Sequence, residues 1–406
     1  MRRVETSLAA WPQIAGTLAL ACLAVGLYAY AGYPLLVRLL PRRRRPVAPA
    51  GGPLPAVSVL VAAHNEARVI ERRVRNLLEQ DYPTDRLEVL VVSDASDDGT
   101  DEIVRSIADP RVRLFRQPRR AGKTAGINRI GAEARGAILV QTDANVLFAP
   151  GTLRALARAF DDATVGVAIG EVVFTNEDDP DVSAGEGLYW RFETWTKRCE
   201  AERDLLAVAN GGVYAIRRSL WRPLPPQIAG DAAEPLLAAI AGLRTIVVPE
   251  ARAYERAAAT MREEFERKAR IIAQQVACAR WIGLGRLPRR ILWAYVSHKL
   301  LRYAVPWLAL AALGLGLPAA LAGSAAGALA AAAVLAPAAL AAVPPPRGAR
   351  GPGALLRLAR YLVVVNAAAA AGTLRGLLGR AQAAWTVPRS TRGEEERKGS
   401  PAAPVG

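Results

Sequence analysis

Apolar residues follow two kinds of pattern along the chain: long uncharged runs near both ends, and short apolar runs alternating with amphipathic stretches between them. No charged residue occurs between Glu5 and Arg38, and Ile14 to Val37 within that stretch is long enough to cross a bilayer core of ~30 Å. A first transmembrane helix is expected there. A cleavable signal peptide is the alternative, disfavoured because the apolar core is too long and no small-residue cleavage site precedes the basic run that follows. That run, Arg42 to Arg45, places the next segment in the cytoplasm by the positive-inside rule. Arg302 to Arg347 encloses a second uncharged stretch. It divides into two spans, about Tyr303 to Ala322 and about Ser324 to Val343, hinged at Gly323. Arg347, Arg350, Arg357 and Arg360 then mark a return to the cytoplasmic side. Tyr361 to Leu374 is apolar but shorter than a usual span and has arginines on both sides, so crossing, re-entrant and interfacial placements all stay open. The tail from Arg389 is charged and rich in Gly and Pro, the composition of a disordered segment.

Between these regions, roughly Pro55 to Gly285, the periodicity alternates between strand and helix. Val57 to Ala62 is a β-branched strand, Ala67 to Gln80 an amphipathic helix, Glu88 to Ser93 a second strand and Thr100 to Ala108 a second helix. A short strand near Val112 to Phe115, a helix from about Lys123 to Ala134 and a strand at Ala137 to Thr142 follow. Such alternation predicts an α/β fold with a mostly parallel sheet and right-handed crossovers. Ligands of such sheets bind at the carboxyl ends of the strands.

Composition sharpens this picture. With 52% hydrophobic residues, some apolar surface must face lipid. Lys and Arg number 53 against 37 Asp and Glu, leaving +16, but the densest basic run directly follows an apolar segment, where a membrane anchor puts it. Nucleic acid is therefore not the expected partner. Cys22, Cys199 and Cys278 lie far apart, with neither a metal spacing nor a disulfide framework, and with only His64 and His298 a histidine-based metal site is not expected.

Two acidic clusters fall on the same sheet edge. Ser93-Asp94-Ala95-Ser96-Asp97-Asp98-Gly99-Thr100 follows the second strand, and Thr142-Asp143-Ala144-Asn145 follows the later one. Asp97, Asp98 and Thr100 read best as turn and cap residues. Asp94 sits at the strand tip, where a carboxylate can accept the imide N–H of a uracil ring, with structural turn duty as the alternative. Asp143 and Asn145 present two oxygen-bearing side chains that one hard divalent cation can reach while bridging phosphate oxygens, although alone the pattern fits a plain turn. Lys123, after Gly122 at a helix start, offers phosphate both charge and backbone N–H groups.

Taken in order, Val57 to Glu66, Val91 to Thr100, Gly122 to Asn128, Thr142 to Asn145, Asn210 to Arg218, Gly230-Asp231, and Ser297-His298-Lys299 with Arg302 resemble the family 2 inverting glycosyltransferases of GT-A fold, in their membrane-bound bacterial form. The resemblance covers nearly the whole chain. It implies a GT-A (Rossmann-like) catalytic domain with one N-terminal transmembrane helix and a C-terminal transmembrane helical region. The corresponding division is an anchor and basic segment over 1–50, the catalytic domain over 51–285 ending in an interfacial helix, membrane helices over 286–380 and a charged tail over 381–406.

The resemblance also implies roles for individual residues. The Ala62-Ala63 region and Glu66 would flank the nucleoside, Asp94 would bind the uracil, Lys123 would approach the diphosphate or the donor sugar, and Asp143 with Asn145 would bind Mg²⁺ or Mn²⁺ and the diphosphate. In the family a carboxylate deprotonates the acceptor, usually as the second acid of a pair; here Gly230 stands at the first position, and Asp231 is the expected base. Asp231 is also a natural N-cap, and Glu234 is the alternative base or the partner of a capping box. Arg267 and Arg270 keep the spacing of the Gln-x-x-Arg-Trp motif of processive relatives, but Ile271 replaces its Trp. Arg267 and Arg270 are expected to bind the nucleotide, with Arg270 at the pyrophosphate; an amphipathic helix on the membrane surface explains the same residues. Trp281, Trp293 and Trp307 read as interface anchors or packing.

The implied activity is transfer of a single sugar, with inversion, from a nucleotide-diphosphate sugar, expected to be a UDP-sugar, to a lipid or lipid-linked glycan acceptor. The expected site is the cytoplasmic face of the plasma membrane. A processive polysaccharide synthase and an inactive membrane scaffold that keeps the fold are the alternatives.

Overall fold

A computed structural model describes residues 2–43, 51–175, 180–256, 260–343 and 352–383. Arg44, Arg45, Arg347, Arg350 and the tail from Arg389 lie outside the described residues. The first helix, α1 (Arg2–Leu27), runs through a π turn at Tyr28–Gly32 into α2 (Tyr33–Leu39). The alternating region follows as β1 (Val57–Ala63), α3 (Ile70–Leu78), β2 (Leu87–Ser93), α4 (Thr100–Ser106), β3 (Val112–Arg116), α5 (Lys123–Glu133) and β4 (Ile138–Asp143). It continues as β5 (Leu147–Phe148), α6 (Thr152–Arg158), β6 (Val165–Phe174), α7 (Pro180–Ala201), β7 (Tyr214–Arg217), α8 (Gly230–Ile240) and β8 (Arg244–Glu255). Helices α9 (Met261–Ile282), α10 (Arg289–Tyr295), α11 (Leu301–Leu321), α12 (Ala325–Ala342) and α13 (Pro352–Leu377) complete the fold.

The eight strands form one sheet in the order β3-β2-β1-β4-β7-β6-β8-β5. The β3-β2-β1-β4 half is parallel throughout, and β7 enters antiparallel to both β4 and β6. All of β1 is buried because both faces are covered. Val57, Val59, Val61 and Ala63 pack with Ile70, Val74 and Leu77 of α3, while Leu60 and Ala62 pack with Ile127 and Ile130 of α5. Such two-sided burial is why the strand reads as an unbroken apolar run rather than as an alternating one.

Two helices are shorter than their apolar periodicity predicts. Helix α3 starts at Ile70, not Ala67, because the preceding turn is held by other bonds: Asn65 adopts a left-handed φ of 55° and the Ala67 N–H donates to Asp98 Oδ2 at 2.9 Å. Helix α4 ends at Ser106; Pro110 disfavours helical geometry at the residue before it.

Among the described residues, three helices are long and apolar enough to cross a membrane: Ala10–Leu39, Arg289–Leu321 and Ala325–Ala342. The turn between the last two uses Gly323 at φ 88°. The spans pack through small residues, since a Cβ on Gly327 would lie 2.7 Å from the Gly316 carbonyl oxygen and one on Gly16 would lie 2.6 Å from Gly327 N. The stretch Tyr361 to Leu374 falls inside α13, which is not among these three helices and packs along α9.

One close backbone approach sets where β4 can lie. A Cβ on Gly136, just before β4, would sit 2.4 Å from Ser58 N and 2.7 Å from Val57 C, and the Gly136 N–H donates to Ser58 Oγ at 2.8 Å. Gly136→Ala is expected to destabilise the protein by about 1–3 kcal/mol through this clash, seen as a lowered midpoint in thermal unfolding; an unchanged midpoint would show that the β1–β4 contact has slack.

Candidate active site

The parallel registers pair Ala62 with Asp143 and Ala63 with Ser93, so the carboxyl ends of β1, β2 and β4 stand level. Just beyond β2, Asp94 is buried and bonded to its own chain. Its Oδ1 accepts Gln117 Nε2 at 2.9 Å and the Ala121 N–H at 2.7 Å, and its Oδ2 accepts the Gly122 N–H at 2.9 Å. Asp94, expected at the nucleobase, is not among the residues lining the cavity, and three of its acceptor positions hold the turn that launches α5. That turn carries Lys123, whose Nζ donates to Asp143 Oδ1 at 2.5 Å. Burial lowers the Lys123 pKa, but the Asp143 carboxylate outweighs it and the net shift is upward.

Lys123 and Asp143 line a cavity of about 340 Å³ that also includes Glu66, Asn145, Asp231, Arg267 and Arg270. Ala63 is not part of it. Strand alternation turns the Ala63 methyl into the opposite core, and Ala62 takes its place on the wall. Arg270 is half-buried, and its desolvation lowers its pKa against the pull of Asp143. Arg267 donates through Nε to Glu264 Oε2 at 2.8 Å, which ties it to a fully buried carboxylate of its own helix.

For a divalent cation, the donor chemistry fits. Asp143 and Asn145 present hard oxygen atoms, and Glu255, at the end of β8, lies beside them with its Oε1 accepting Asn145 Nδ2 at 3.4 Å. Glu255 escaped sequence reasoning because it falls more than a hundred residues after Asn145, and only the sheet order brings β8 to this edge.

Across the cavity, α8 opens at Gly230 with Ala229 as its N-cap, so Asp231 does not cap the helix. Among the described residues no hydrogen bond or ion pair to another side chain holds the Asp231 carboxylate. Burial raises its pKa, opposed by Lys123 and Lys197. The capping box with Glu234 does not form either. Glu234 turns inward, where both its oxygens accept Gln141 Nε2, at 2.8 and 2.9 Å, and burial pushes its pKa up to about 7. Gly230, where the expected first acid is missing, has no room for one: a Cβ there would lie 2.5 Å from Tyr214 Oη and 3.1 Å from Gln141 Oε1.

The cavity continues to the helices of membrane length, with Glu193 and Lys197 of α7, Tyr30 of the first span, and His298, Lys299 and Arg302 of the second on its wall. The Glu193 carboxylate is held well below the usual range, the cations Lys299, His298 and Arg302 more than offsetting its burial. Glu193, Lys197 and Glu200 carried a signal in sequence, being spaced i, i+4 and i+7 on one helix face. Their partners lie about a hundred residues away and could not be read from it.

Residues 58–222 match the family model described as Glycosyl transferase family 2. Over 171 residues the chain is 27% identical to a beta-monoglucosyldiacylglycerol synthase of Trichormus variabilis, covering 41% of this chain and 36% of that protein. It is 39% identical over 111 residues to the glycosyltransferase AglD of Haloferax volcanii, covering 26% and 18% respectively. The chain thus spans little more than a third of the length of these curated relatives, or less. Among solved structures, the mannosyltransferase PcManGT from Pyrobaculum calidifontis, in complex with GDP-Man and Mn²⁺, superposes with a TM-score of 0.69 at 27% identity, covering 90% of this chain and 99% of that one.

Because Asp94 holds the turn bearing Lys123, Asp94→Ala is expected to cost about 1–3 kcal/mol in stability by orphaning buried amides and also to weaken nucleoside diphosphate binding. Thermal unfolding with and without nucleotide separates the two effects. A variant that melts lower but binds nucleotide as tightly as the parent would limit Asp94 to a structural role.

Proposed function

Because residues 58–222 match the glycosyltransferase family 2 model, we propose that the chain moves a single sugar from a nucleoside diphosphate to a hydroxyl of a lipid or lipid-linked glycan, inverting the anomeric carbon. The observation that carries this reading is the single cavity that joins the Lys123–Asp143 pair, Asp231 and side chains of two membrane-length helices. Donor diphosphate and lipid acceptor can meet there without leaving the protein.

Lys123 and Arg270 supply positive charge where the diphosphate would lie, and Glu66 lines the nucleoside side. Asp143 and Asn145 would hold Mg²⁺ or Mn²⁺, which when bound would offset charge on the leaving diphosphate. Asp231 accepts the proton of the acceptor hydroxyl as the new C–O bond forms and the anomeric C–O bond to the diphosphate breaks. Its raised pKa suits a base. Ile271 lines the cavity where processive relatives carry a tryptophan, which supports one transfer rather than chain growth. Arg38, Arg42 and Arg43 end the first span, and Arg289 and Arg290 begin the second, which supports a catalytic domain on the cytoplasmic face of the plasma membrane.

Asp231→Asn is expected to lower turnover by about 10²–10⁴-fold while a nucleotide sugar still raises the melting temperature; turnover near the parent value would move the base elsewhere, with Glu234 next to test. The base must be ionised, so kcat/KM is expected to fall as pH drops through the raised Asp231 pKa. Its acid limb should then lie above the ~4 of an ordinary carboxylate, as a pH–rate profile would show. EDTA treatment and Asp143→Ala are each expected to abolish transfer, and activity retained in Asp143→Ala would remove that residue from the cation set.

A further inference from the structure

Another cavity, of about 290 Å³, lies outside the active site and shares no lining residue with it. It opens at the amino ends of β6 and β8, where Val165 pairs with Arg244, on the sheet edge opposite the one that carries Asp143. Among the described residues its wall carries four arginines, Arg43, Arg244, Arg289 and Arg290, and one carboxylate, Asp204. Arg244 spends its donors on the protein. Its Nη2 pairs with Asp162, its Nη1 stands 3.6 Å from Asp204 Oδ1 and its Nε donates to Thr164 Oγ1 at 2.9 Å.

The other three arginines are exposed and held loosely. Arg43 Nη1 lies 3.8 Å from Asp204 Oδ2, Arg290 Nη2 donates to the Arg203 carbonyl at 3.4 Å, and the Arg289 side chain has no partner among the described residues. The next carboxylate along the chain, Glu202, is already paired with Arg42 and Arg203. Four arginines therefore meet two carboxylates, Asp162 and Asp204, and positive charge is left over at the cavity mouth.

Position and lining narrow the ligand. Arg43 follows the end of the first membrane-length helix by four residues and Arg289 opens the second, so the cavity stands where both spans end on one side. Leu35, Leu36 and Leu39, at the end of the first span, are exposed, as side chains against acyl chains are. The arginines thus lie just beyond the apolar boundary, at the depth of lipid phosphates. The rest of the wall includes Leu206, Leu243, Pro288 and Ile291. An arginine rim beside apolar side chains matches a phosphate joined to glycerol and acyl chains, whereas a free inorganic anion gains nothing from the apolar part.

We propose that Arg43, Arg289 and Arg290 bind the phosphate of an anionic phospholipid in this cavity, with Arg244 holding Asp162 and Asp204 aside. The bound lipid fastens the catalytic domain to the bilayer at a point the transfer reaction does not use. Ala239 and Gly242, on the same wall, lie at the far end of the helix that begins with Asp231, so the contact is made to the body of the catalytic domain.

The test is thermal unfolding of the full chain in a nonionic detergent, titrated with dioctanoyl phosphatidylglycerol, dioctanoyl phosphatidylcholine or sodium phosphate. The parent protein is expected to reach half of its stabilisation at a phosphatidylglycerol concentration about tenfold or more below that for phosphatidylcholine, the value of charge-assisted hydrogen bonds, with no shift from sodium phosphate. Arg289→Gln with Arg290→Gln is expected to raise the half-saturating phosphatidylglycerol concentration by about tenfold, and Arg43→Gln alone by less. The control, Arg38→Gln with Arg286→Gln, removes two exposed arginines of the same region that do not line the cavity, and is expected to leave the value nearly unchanged. Each shift is read against the variant's own lipid-free midpoint. Equal half-saturation by the two lipids in the parent protein overturns the proposal without needing any variant to fold. A shift from sodium phosphate as large as that from phosphatidylglycerol replaces the lipid with a free anion, and equal losses in the two double variants replace the site with diffuse charge. Because melting is read and not transfer, these outcomes are separate from the transferase reading.

Discussion

The parallel register of β2, β1 and β4 is the constraint on which the remaining geometry depends. Parallel pairing brings the ends of all three strands level, and burial on both faces fixes which side chain points where, since a slip of one residue would exchange the two cores. Gly136 lets β4 approach β1 closely enough to keep that register. Once the tips are aligned, Asp94 can gather the amides of Ala121 and Gly122, and that turn delivers Lys123 to Asp143.

Several charges around the site are buried, and most of these have a named partner. Beneath Asp143, Arg73 is wholly buried, donating to Thr142 Oγ1 at 2.7 Å and lying over the Phe148 ring, and burial lowers its pKa to about 9 against the pull of Asp143. At the far end Glu193 gathers cations from its own helix and from a membrane-length helix, locking the sheet domain to the membrane region. Between these ends stands Lys197, whose pKa burial lowers to about 8, flanked by the charges of Lys299, Glu193 and Asp231. An arrangement of this kind resists loss of any one member, because a buried charge left alone costs more than the pair gains.

Much of this was readable from sequence, and the failures have physical causes. The strands, the first three crossover helices and the two uncharged regions followed from periodicity and length, and Asp143, Lys123, Asp231 and Arg270 do share one cavity. Asp94 and Ala63 were placed in the binding surface by their position at strand ends. Position gives the edge but not the direction of a side chain or the amides competing for it, and neither residue is among those lining the cavity. The capping box read at Glu234 failed for a similar reason: tertiary partners, Gln141 and Tyr214, outweighed local capping. The Glu193 network and Glu255 required contacts across some hundred residues, which no local pattern contains.

The central claim is that the Asp231 base and the diphosphate leaving group face each other across the sugar. Proton NMR of the transferred sugar, made from an α-linked nucleotide sugar, tests this most directly. A β-configured product at first appearance is expected from in-line displacement in this cavity. An α-configured product would contradict it, because retention demands either a covalent nucleophile or attack from the leaving-group face.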